Sequence, residues 1–496
     1  MISGSEVKIG AEPNGLQVGR RQPRLSEQRM YSILLAGDPD YNGRFFTGVL
    51  TTGVYCLPSC KARKPRRENV RFFASTEAAR TAGLRPCKKC HPDDFARGFD
   101  PVLEAIETLV GEIRAQPAAF ADTGAIVRRS GFGATRLFEL FRQHYHATPA
   151  EILMRARITV AKEQLLATGK RLAAVSGEAG FDSLSSFHEN FRALTGLTPL
   201  AYRALRGARK FVVALPQGYP LPYLRQALGR DTASLTEWLA GNCFQCGVML
   251  DGMPAALNLR LSEEAVEVEF SQEGGAAAHE VVARLLGLEQ DAAGFVRLAA
   301  RLGLGRLTAG RAGLRVNQNY SVFDGLTWAI IGQQINLAFT RLLRRRLTER
   351  AGEEVGQGLR TPPTPEAVAA LEREDLLRMQ FSRQKADYLL GLARAVVEKR
   401  HDLEGLRQLS ATRVERTLRA IRGLGPWSVH WVMMRSLGFT DCLPLGDTGV
   451  ASGLQALFEL EERPDLEAMR RLMAVFSPYR SLATTHLWQY KKPVPE

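Results

Sequence analysis

The stretch LRAIRGLGPWSVHWVMMRSLGFTDCLPLGDTGV, residues Leu418–Val450, predicts how the C-terminal part of this 496-residue chain folds. Helical spacing on both sides of RGLGPW predicts a helix, a Gly-x-Gly turn and a second helix that begins at Pro426. Gly423 and Gly425 allow positive φ and close approach of another backbone, and the free N–H groups of the second helix would aim at the turn. The pattern favours a phosphate-binding hairpin, and a tight helix–helix turn without a ligand is the alternative.

A carboxylate follows this hairpin: Asp447, in LPLGDTG, lies 22 residues after Gly425. The plain alternative for Asp447 is an exposed loop acid. The hairpin with its downstream Asp resembles the helix-hairpin-helix DNA glycosylases. GQQIN, GLGPWSVHWVMM and PYRSLATTHLW resemble the 3-methyladenine DNA glycosylase II (AlkA-like) branch. The resemblance implies that Asp447 is catalytic and stabilises the positive charge that builds on the sugar as the N-glycosidic bond breaks.

The same resemblance implies a base pocket and a substrate class. The damaged base must leave the duplex stack, and aromatic walls favour the cationic alkylated purines 3-methyladenine and 7-methylguanine. Trp427, Trp431 and Tyr479 match pocket positions of the family, and each could equally be a core residue.

The match also implies contacts with DNA. Gln334 stands where relatives carry an apolar wedge. Its neighbour Gln333, together with Gly423 and Gly425 of the phosphate-binding hairpin, is a further predicted DNA contact. Trp427 occupies the position at which strand-cleaving relatives carry a Lys, so a monofunctional enzyme is expected.

A second motif, TTGVYCLPSCKARKPRREN, starts at Thr51 and contains two of four clustered cysteines. Cys56 and Cys60 form C-x3-C, and Cys87 and Cys90 form C-x2-C after 26 intervening residues. This spacing predicts one tetrahedral Zn²⁺ site with four thiolates, and His91 is the competing ligand. Spacing alone does not choose between a structural and a reactive site, nor between Cys56 and Cys60 as a reactive thiolate.

The segment from Asp40 to Pro92 resembles the zinc domain of Ada (adaptive-response) proteins. The resemblance implies that Cys56 irreversibly accepts a methyl group from a DNA methylphosphotriester. Arg63, Arg66 and Arg67 would hold the phosphate backbone. Methylation would reduce the net charge of zinc with four thiolates from −2 to −1, and DNA would then bind more tightly.

The region between these motifs contains a duplicated pattern. SGFGATRLFELFRQHYHATPAEILMRAR is echoed by AGFDSLSSFHENFRALTGLTPLAYRALR at an offset of 49 to 50 residues. The repeat predicts two helix-turn-helix units rather than an ordinary helical bundle. It resembles the DNA-binding domain of AraC-type regulators, which places two sets of residues on recognition helices: Ala134, Thr135 and Glu139 on the first, Ser183, Ser185 and Glu189 on the second. Thr135 and Ser185 are the predicted DNA contacts; the two Glu side chains leave the sequence preference open.

Composition agrees with a DNA-binding protein. Lys and Arg outnumber Asp and Glu by 66 to 52, a net charge of +14, which favours a polyanionic partner. Seven cysteines without an export signal favour a reducing cytosol, and a cytoplasmic, nucleoid-associated bacterial location is expected. No apolar run is long enough to span a bilayer.

We therefore expect a multidomain chain, mainly α, with a small α+β zinc domain and an α+β lobe. The predicted divisions are a disordered N-terminus (1–28), an Ada-like Zn(Cys)4 domain (29–98), a tandem helix-turn-helix (101–206), an AlkA-like lobe (210–290) and the helix-hairpin-helix glycosylase domain (291–494).

Together these domains predict a methylation sensor fused to a base-excision enzyme, with one Zn²⁺ and no organic cofactor. Double-stranded DNA is the expected partner, RNA polymerase a further candidate, and a membrane is not expected. The alternatives are a methylation-activated transcription regulator with a vestigial glycosylase half, and a glycosylase that the N-terminal domains merely anchor to DNA.

Overall fold

The computed structural model describes residues 25–37, 41–97, 100–490 and 492. These residues form two compact units, which divide between Ala105 and Ile106. Most of the predicted lead-in, 1–28, lies outside the described residues, but its end is helical because Ser26 caps a helix that begins at Glu27. Within the described part of the chain, no helix is both long and apolar enough to cross a bilayer.

The first unit is a small α+β fold. Its elements are α1 (Glu27–Ala36), β1 (Phe46–Val49), β2 (Val54–Cys56), β3 (Val70–Phe73), α2 (Thr76–Thr81), β4 (Arg85–Pro86) and α3 (Pro92–Ala96). The sheet order is β3-β1-β2-β4, and β2 and β4 run parallel. Because Tyr55 pairs with Pro86 in parallel strands, the next residues, Cys56 and Cys87, lie side by side at the C-terminal ends of β2 and β4.

The second unit opens with the duplicated helical region. Its helices are α4 (Pro101–Ala115, which crosses the division between the units), α5 (Thr123–Ser130), α6 (Ala134–Tyr145), α7 (Pro149–Ala167), α8 (Leu172–Glu178), α9 (Leu184–Thr195) and α10 (Pro199–Ala204). The repeated Thr-Pro has a local cause: Thr148 and Thr198 cap α7 and α10, and the following Pro takes the first helical position, where its missing N–H is not needed.

An antiparallel sheet follows. The elements are β5 (Lys210–Ala214), α11 (Leu221–Leu228), β6 (Glu237–Ala240), β7 (Cys243–Leu250), β8 (Met253–Leu261), β9 (Ala265–Phe270) and α12 (Gly275–Leu286). The strand order is β5-β9-β8-β7-β6. The second helix-turn-helix shares one buried cluster with this sheet: His279 contacts the backbone oxygen of Thr195 at 2.7 Å and packs edge-on against Tyr202. Two regions predicted as separate domains therefore have a common core.

The remainder of the second unit is helical. Its elements are α13 (Ala292–Arg301), α14 (Val322–Ile331), α15 (Leu337–Ala351), β10 (Glu354–Gly356), β11 (Leu359–Arg360), α16 (Pro365–Ala369), α17 (Arg373–Arg378), α18 (Arg383–Val397), α19 (Ala411–Ala420), α20 (Pro426–Arg435), α21 (Thr448–Leu457), α22 (Leu466–Ala474) and α23 (Arg480–Gln489). One apolar core joins these helices, and α19 and α20 form the predicted hairpin. The predicted fold class is confirmed.

Candidate metal centre and glycosylase site

The four clustered cysteines converge in the first unit. Their sulfur atoms, from Cys56, Cys60, Cys87 and Cys90, all lie within 4.8 Å of one another. Four thiolates at this spacing suit tetrahedral Zn²⁺. His91 is not in this group, because its ring turns towards Asp94 instead, with 3.5 Å between Nδ1 and Oδ2. The predicted ligand set therefore fits one zinc ion.

Backbone N–H groups distinguish the four sulfurs. Leu57 N donates to Cys90 Sγ and Lys89 N donates to Cys87 Sγ, both at 3.4 Å. In the described residues no backbone N–H donates to the Sγ atom of Cys56 or of Cys60. Since a donated hydrogen bond draws electron density from a thiolate, the sulfurs of Cys56 and Cys60 stay more electron-rich than those of Cys87 and Cys90.

The hairpin turn in the second unit is built around close packing. Gly423 has φ 96°, and a Cβ there would overlap the Tyr388 ring. Gly425 does not use a positive φ: its φ is −90°, and it is the N-cap of α20. A Cβ at Gly425 would meet open space, so the backbone there is free to approach a phosphate.

The loop after α14 is tied to this hairpin. Gln333 Nε2 donates to the carbonyl of Gly423 at 2.8 Å and lies 3.2 Å from the Ser428 hydroxyl. The side-chain NH2 group of Gln333, a predicted DNA contact, is thus hydrogen-bonded within the protein. Its neighbour Gln334 is exposed and has φ 56°, a left-handed backbone that is uncommon outside glycine. The loop presents Gln334 to solvent on a braced backbone.

Asp447 lies where three elements meet. It caps α21 by accepting from Val450 N at 2.9 Å. Trp488 Nε1, at the end of α23, donates to Oδ1 at 2.9 Å, and Trp427 Nε1, at the start of α20, donates to Oδ2 at 3.1 Å. The approach of Trp488 depends on Gly449, because a Cβ there would lie 2.8 Å from the indole Cδ1. Three N–H donors thus fix the carboxylate orientation.

Comparisons with known families match three parts of the chain. Residues 29–93 match the metal binding domain of Ada, 126–205 a helix-turn-helix domain, and 327–478 the HhH-GPD superfamily of base excision DNA repair proteins. The chain is therefore a fusion of three kinds of domain: an Ada-type metal binding domain, a helix-turn-helix domain and an HhH-GPD domain.

Relatives agree with this fusion. A Mycobacterium tuberculosis protein named probable bifunctional transcriptional activator/DNA repair enzyme AlkA is 26% identical, and the match covers 93% of this chain and 96% of that protein. The Escherichia coli bifunctional transcriptional activator/DNA repair enzyme Ada is 33% identical over 36% of this chain and 49% of its own length. The 3-methyladenine DNA-glycosylase structure from Archaeoglobus fulgidus shares the fold, with TM-score 0.51, 23% identity, and coverage of 57% of this chain and 98% of that one.

In the fusion protein, the helix-turn-helix half exposes the predicted recognition residues. Ala134, Thr135 and Glu139 on α6 face solvent, as do Ser183, Ser185 and Glu189 on α9. Two of these side chains already have local partners. Ser183 caps α9, and Glu139 accepts from Arg136 at 3.1 Å. Thr135 and Ser185 remain available to an incoming duplex.

The predicted basic contacts near the zinc site divide into two kinds. Arg63 and Arg66 are exposed, and among the described residues Arg66 has only a long pairing with Glu68, at 3.8 Å. Arg67 is held by the Glu27 carboxylate and lies over the Phe72 ring. Arg67 therefore braces the first helix against the sheet, whereas Arg63 and Arg66 can meet phosphate.

The aromatic pocket candidates also divide in the fusion protein. Trp427 and Trp431 stack with ring centroids 6.1 Å apart and an interplanar angle of 26°. Tyr479 precedes the first residue of α23, while Trp488 lies near its end, so the two are separated by about 13 Å of helix. The Tyr479 hydroxyl donates to Asp291 at 2.8 Å. Trp488, not Tyr479, contacts Asp447. Trp488 is the last residue of the motif PYRSLATTHLW, so the sequence contained the signal that could have identified it.

Proposed function

We propose that the glycosylase half hydrolyses the N-glycosidic bond of alkylated purines in DNA, with Asp447 as the catalytic carboxylate. The observation that carries the proposal is the three-donor clamp on Asp447 beside the stacked Trp427 and Trp431. A carboxylate fixed in this way faces a developing oxocarbenium charge without having to reorganise. The indole of Trp427, which is half-buried, favours a cationic base such as 3-methyladenine or 7-methylguanine. Trp431 is buried behind it, with Arg435 over its ring.

The reaction needs little acid catalysis, because the positive charge on an alkylated purine already makes it a good leaving group. As the bond between sugar and base lengthens, Asp447 stabilises the sugar cation and orients the attacking water. Trp427 at the matching position of the hairpin helix has no amine, so no Schiff base forms there and the DNA strand stays intact. The exposed Gly425 backbone and Gln334 support the duplex around the flipped nucleotide.

The test is release of 3-methyladenine from alkylated duplex DNA by wild type and Asp447→Asn. Asn caps a helix about as well as Asp, so this substitution removes the charge and keeps α21 capped. Asp122→Asn is the matched control, because Asp122 caps α5 in the helix-turn-helix region in the same way. We expect excision by wild type and the control only. Excision that survives in Asp447→Asn would overturn the assignment, and its absence in wild type would favour the vestigial glycosylase.

A second function rests on the zinc site. We propose that Cys56 Sγ attacks the methyl carbon of a DNA methylphosphotriester: the S–C bond forms, the C–O bond breaks, and the phosphate leaves as the ordinary diester anion. A sulfur without a backbone N–H donor supports Cys56 over Cys87 and Cys90, and the resemblance to the Ada zinc domain supports Cys56 over Cys60. Zn²⁺, held by Cys56, Cys60, Cys87 and Cys90, supplies the positive charge that keeps these sulfurs deprotonated.

Methyl transfer would also act as a signal. A thioether at Cys56 carries no charge, so the site becomes less negative and phosphates bind beside Arg63 and Arg66 more tightly. The helix-turn-helix half would then direct activation of transcription, with RNA polymerase as the candidate partner. Incubation with methylphosphotriester DNA followed by peptide mass spectrometry should find one methyl group on Cys56. A methyl on another ligand, or none, would refute this role.

A further inference from the structure

The end of the first recognition helix rests on the chain segment that leads to the catalytic carboxylate. We call Phe439–Asp447 the catalytic segment. His146, which ends α6, accepts a hydrogen bond from Thr440 Oγ1 on its carbonyl oxygen at 2.9 Å. The backbone N–H of Asp441 donates to His146 Nδ1 at 3.2 Å. The His146 ring also packs edge-on against Phe439, with centroids 5.5 Å apart.

The other side of the catalytic segment is fixed by α23. Arg480 pairs with the Asp441 carboxylate through Nε at 2.7 Å and a terminal nitrogen at 3.0 Å. Ser481 Oγ accepts from Cys442 N at 3.1 Å. The far end of the same helix supplies Trp488, which donates to Asp447. One helix therefore holds both ends of the catalytic segment, and His146 presses on the segment from the helix-turn-helix side.

The backbone of His146 is adapted to this role. Its φ is 55°, in the left-handed region where His is among the few tolerated side chains. Burial lowers the pKa of His146 to about 4, so the ring is neutral at physiological pH. A neutral ring that accepts at Nδ1 carries its proton on Nε2.

Neighbouring contacts keep α6 at this position. Glu107 on α4 accepts from Arg413 Nε at 3.0 Å and from Ser410 Oγ at 2.6 Å. His144 lies 2.9 Å from the Thr412 hydroxyl. These residues run along α19, the first helix of the DNA-binding hairpin, so the first helix-turn-helix is attached both to the hairpin and to the catalytic segment.

We propose that His146, a residue of the helix-turn-helix half, is a positioning residue for glycosylase catalysis: its contacts with Phe439, Thr440 and Asp441 hold the catalytic segment so that Asp447 meets the sugar. This inference rests on the proposed function of Asp447. The chain's two halves would then be joined in chemistry as well as in sequence, since excision would depend on a helix-turn-helix residue that touches neither the base nor the sugar.

The test uses the full chain with His146→Gly and His146→Asn. Glycine keeps the left-handed backbone and removes the ring. Asn also tolerates that backbone, and its Oδ1 occupies the place of Nδ1, so it can accept from Asp441 N. Single-turnover excision of 7-methylguanine at saturating enzyme gives the rate, and titration of an abasic-site duplex gives Kd. We expect the rate of His146→Gly to fall about 3- to 10-fold, the range of one neutral hydrogen bond, with Kd unchanged. His146→Asn should restore most of the rate.

Hydrogen exchange provides a readout that does not need activity. Peptides from the catalytic segment should exchange faster in His146→Gly and return towards wild type in His146→Asn, while peptides from α16 stay unchanged. Wild-type rate and exchange in His146→Gly would overturn the inference, and so would a slow His146→Asn. Loss of excision in wild type, or excision that survives in Asp447→Asn, would instead sink the proposed function; the exchange result would still decide whether His146 holds the segment.

Discussion

Removal of the indole donor of Trp488 gives the sharpest check of the catalytic clamp. In Trp488→Phe, an aromatic ring remains but the 2.9 Å hydrogen bond to Asp447 Oδ1 is lost. A hydrogen bond to a charged group is worth about 1.5–3 kcal/mol. If the full amount is felt in the transition state, the excision rate falls about 10- to 150-fold, since about 1.4 kcal/mol corresponds to a factor of ten.

The assay is single-turnover release of 7-methylguanine from methylated duplex, with enzyme in excess so that product release does not limit the rate. Trp427→Phe removes the partner bond to Oδ2, at 3.1 Å, and should cost a comparable factor. Trp238→Phe is the control, because Trp238 is 51% exposed on β6 and makes no contact with Asp447. If Trp488→Phe matches the control while it remains folded, the donors do not act on Asp447 and the reasoning fails.

Three further predictions concern packing, pH and the metal. Gly449→Ala should slow excision by at least as much as Trp488→Phe, because the new Cβ displaces the indole; an unchanged rate would show that the helix yields. Burial opposes ionisation of Glu415, yet hydrogen bonds from His430 and Arg419 lower the pKa of Glu415 to about 2 from 4.5. The ionised Glu415 stabilises the fold fully at any pH above its pKa in the unfolded chain, 4.5. The free energy of unfolding should therefore fall as the pH drops from 4.5 towards 2. Denaturant titrations of Glu415→Gln should show a shallower fall over the same pH range. Chelation of zinc should unfold the first unit, seen by circular dichroism, and leave excision intact because Asp447 and its donors lie in the second unit.

Short-range patterns carried most of the correct predictions. Cysteine spacing predicts the metal site because two tight pairs need only one strand pairing to converge, and β2 beside β4 provides it. The Gly-x-Gly hairpin and the Thr-Pro repeats are local too, since turns and caps are set by a few adjacent residues. The resemblance to the helix-hairpin-helix family singled out Asp447, and the structure then placed its carboxylate within hydrogen-bond distance of Trp427.

Long-range packing decided the rest. Tyr479 and Trp488 lie in one quoted stretch, and only the course of α23 shows which of them reaches Asp447. Gln333 is a predicted DNA contact, and only the folded loop shows that its Nε2 donates to the carbonyl of Gly423. Arg67 belongs to a basic run, and only the fold shows that it pairs with Glu27, forty residues earlier in the chain.

The sequence by itself determined which chemistry the chain carries: four thiolates at one end, a hairpin and a carboxylate at the other, and a duplicated recognition helix between them. Only the tertiary structure decided how these parts are joined, because the join depends on faces that meet far apart in sequence. The segment 101–206 carries the periodicity of an independent domain, but Tyr202 packs into the core beside β5 and His146 rests against Asp441. Burial of apolar surface and pairing of buried polar groups depend on residues that meet only in the folded chain. For this reason no local sequence pattern predicts the contacts of Tyr202 or His146.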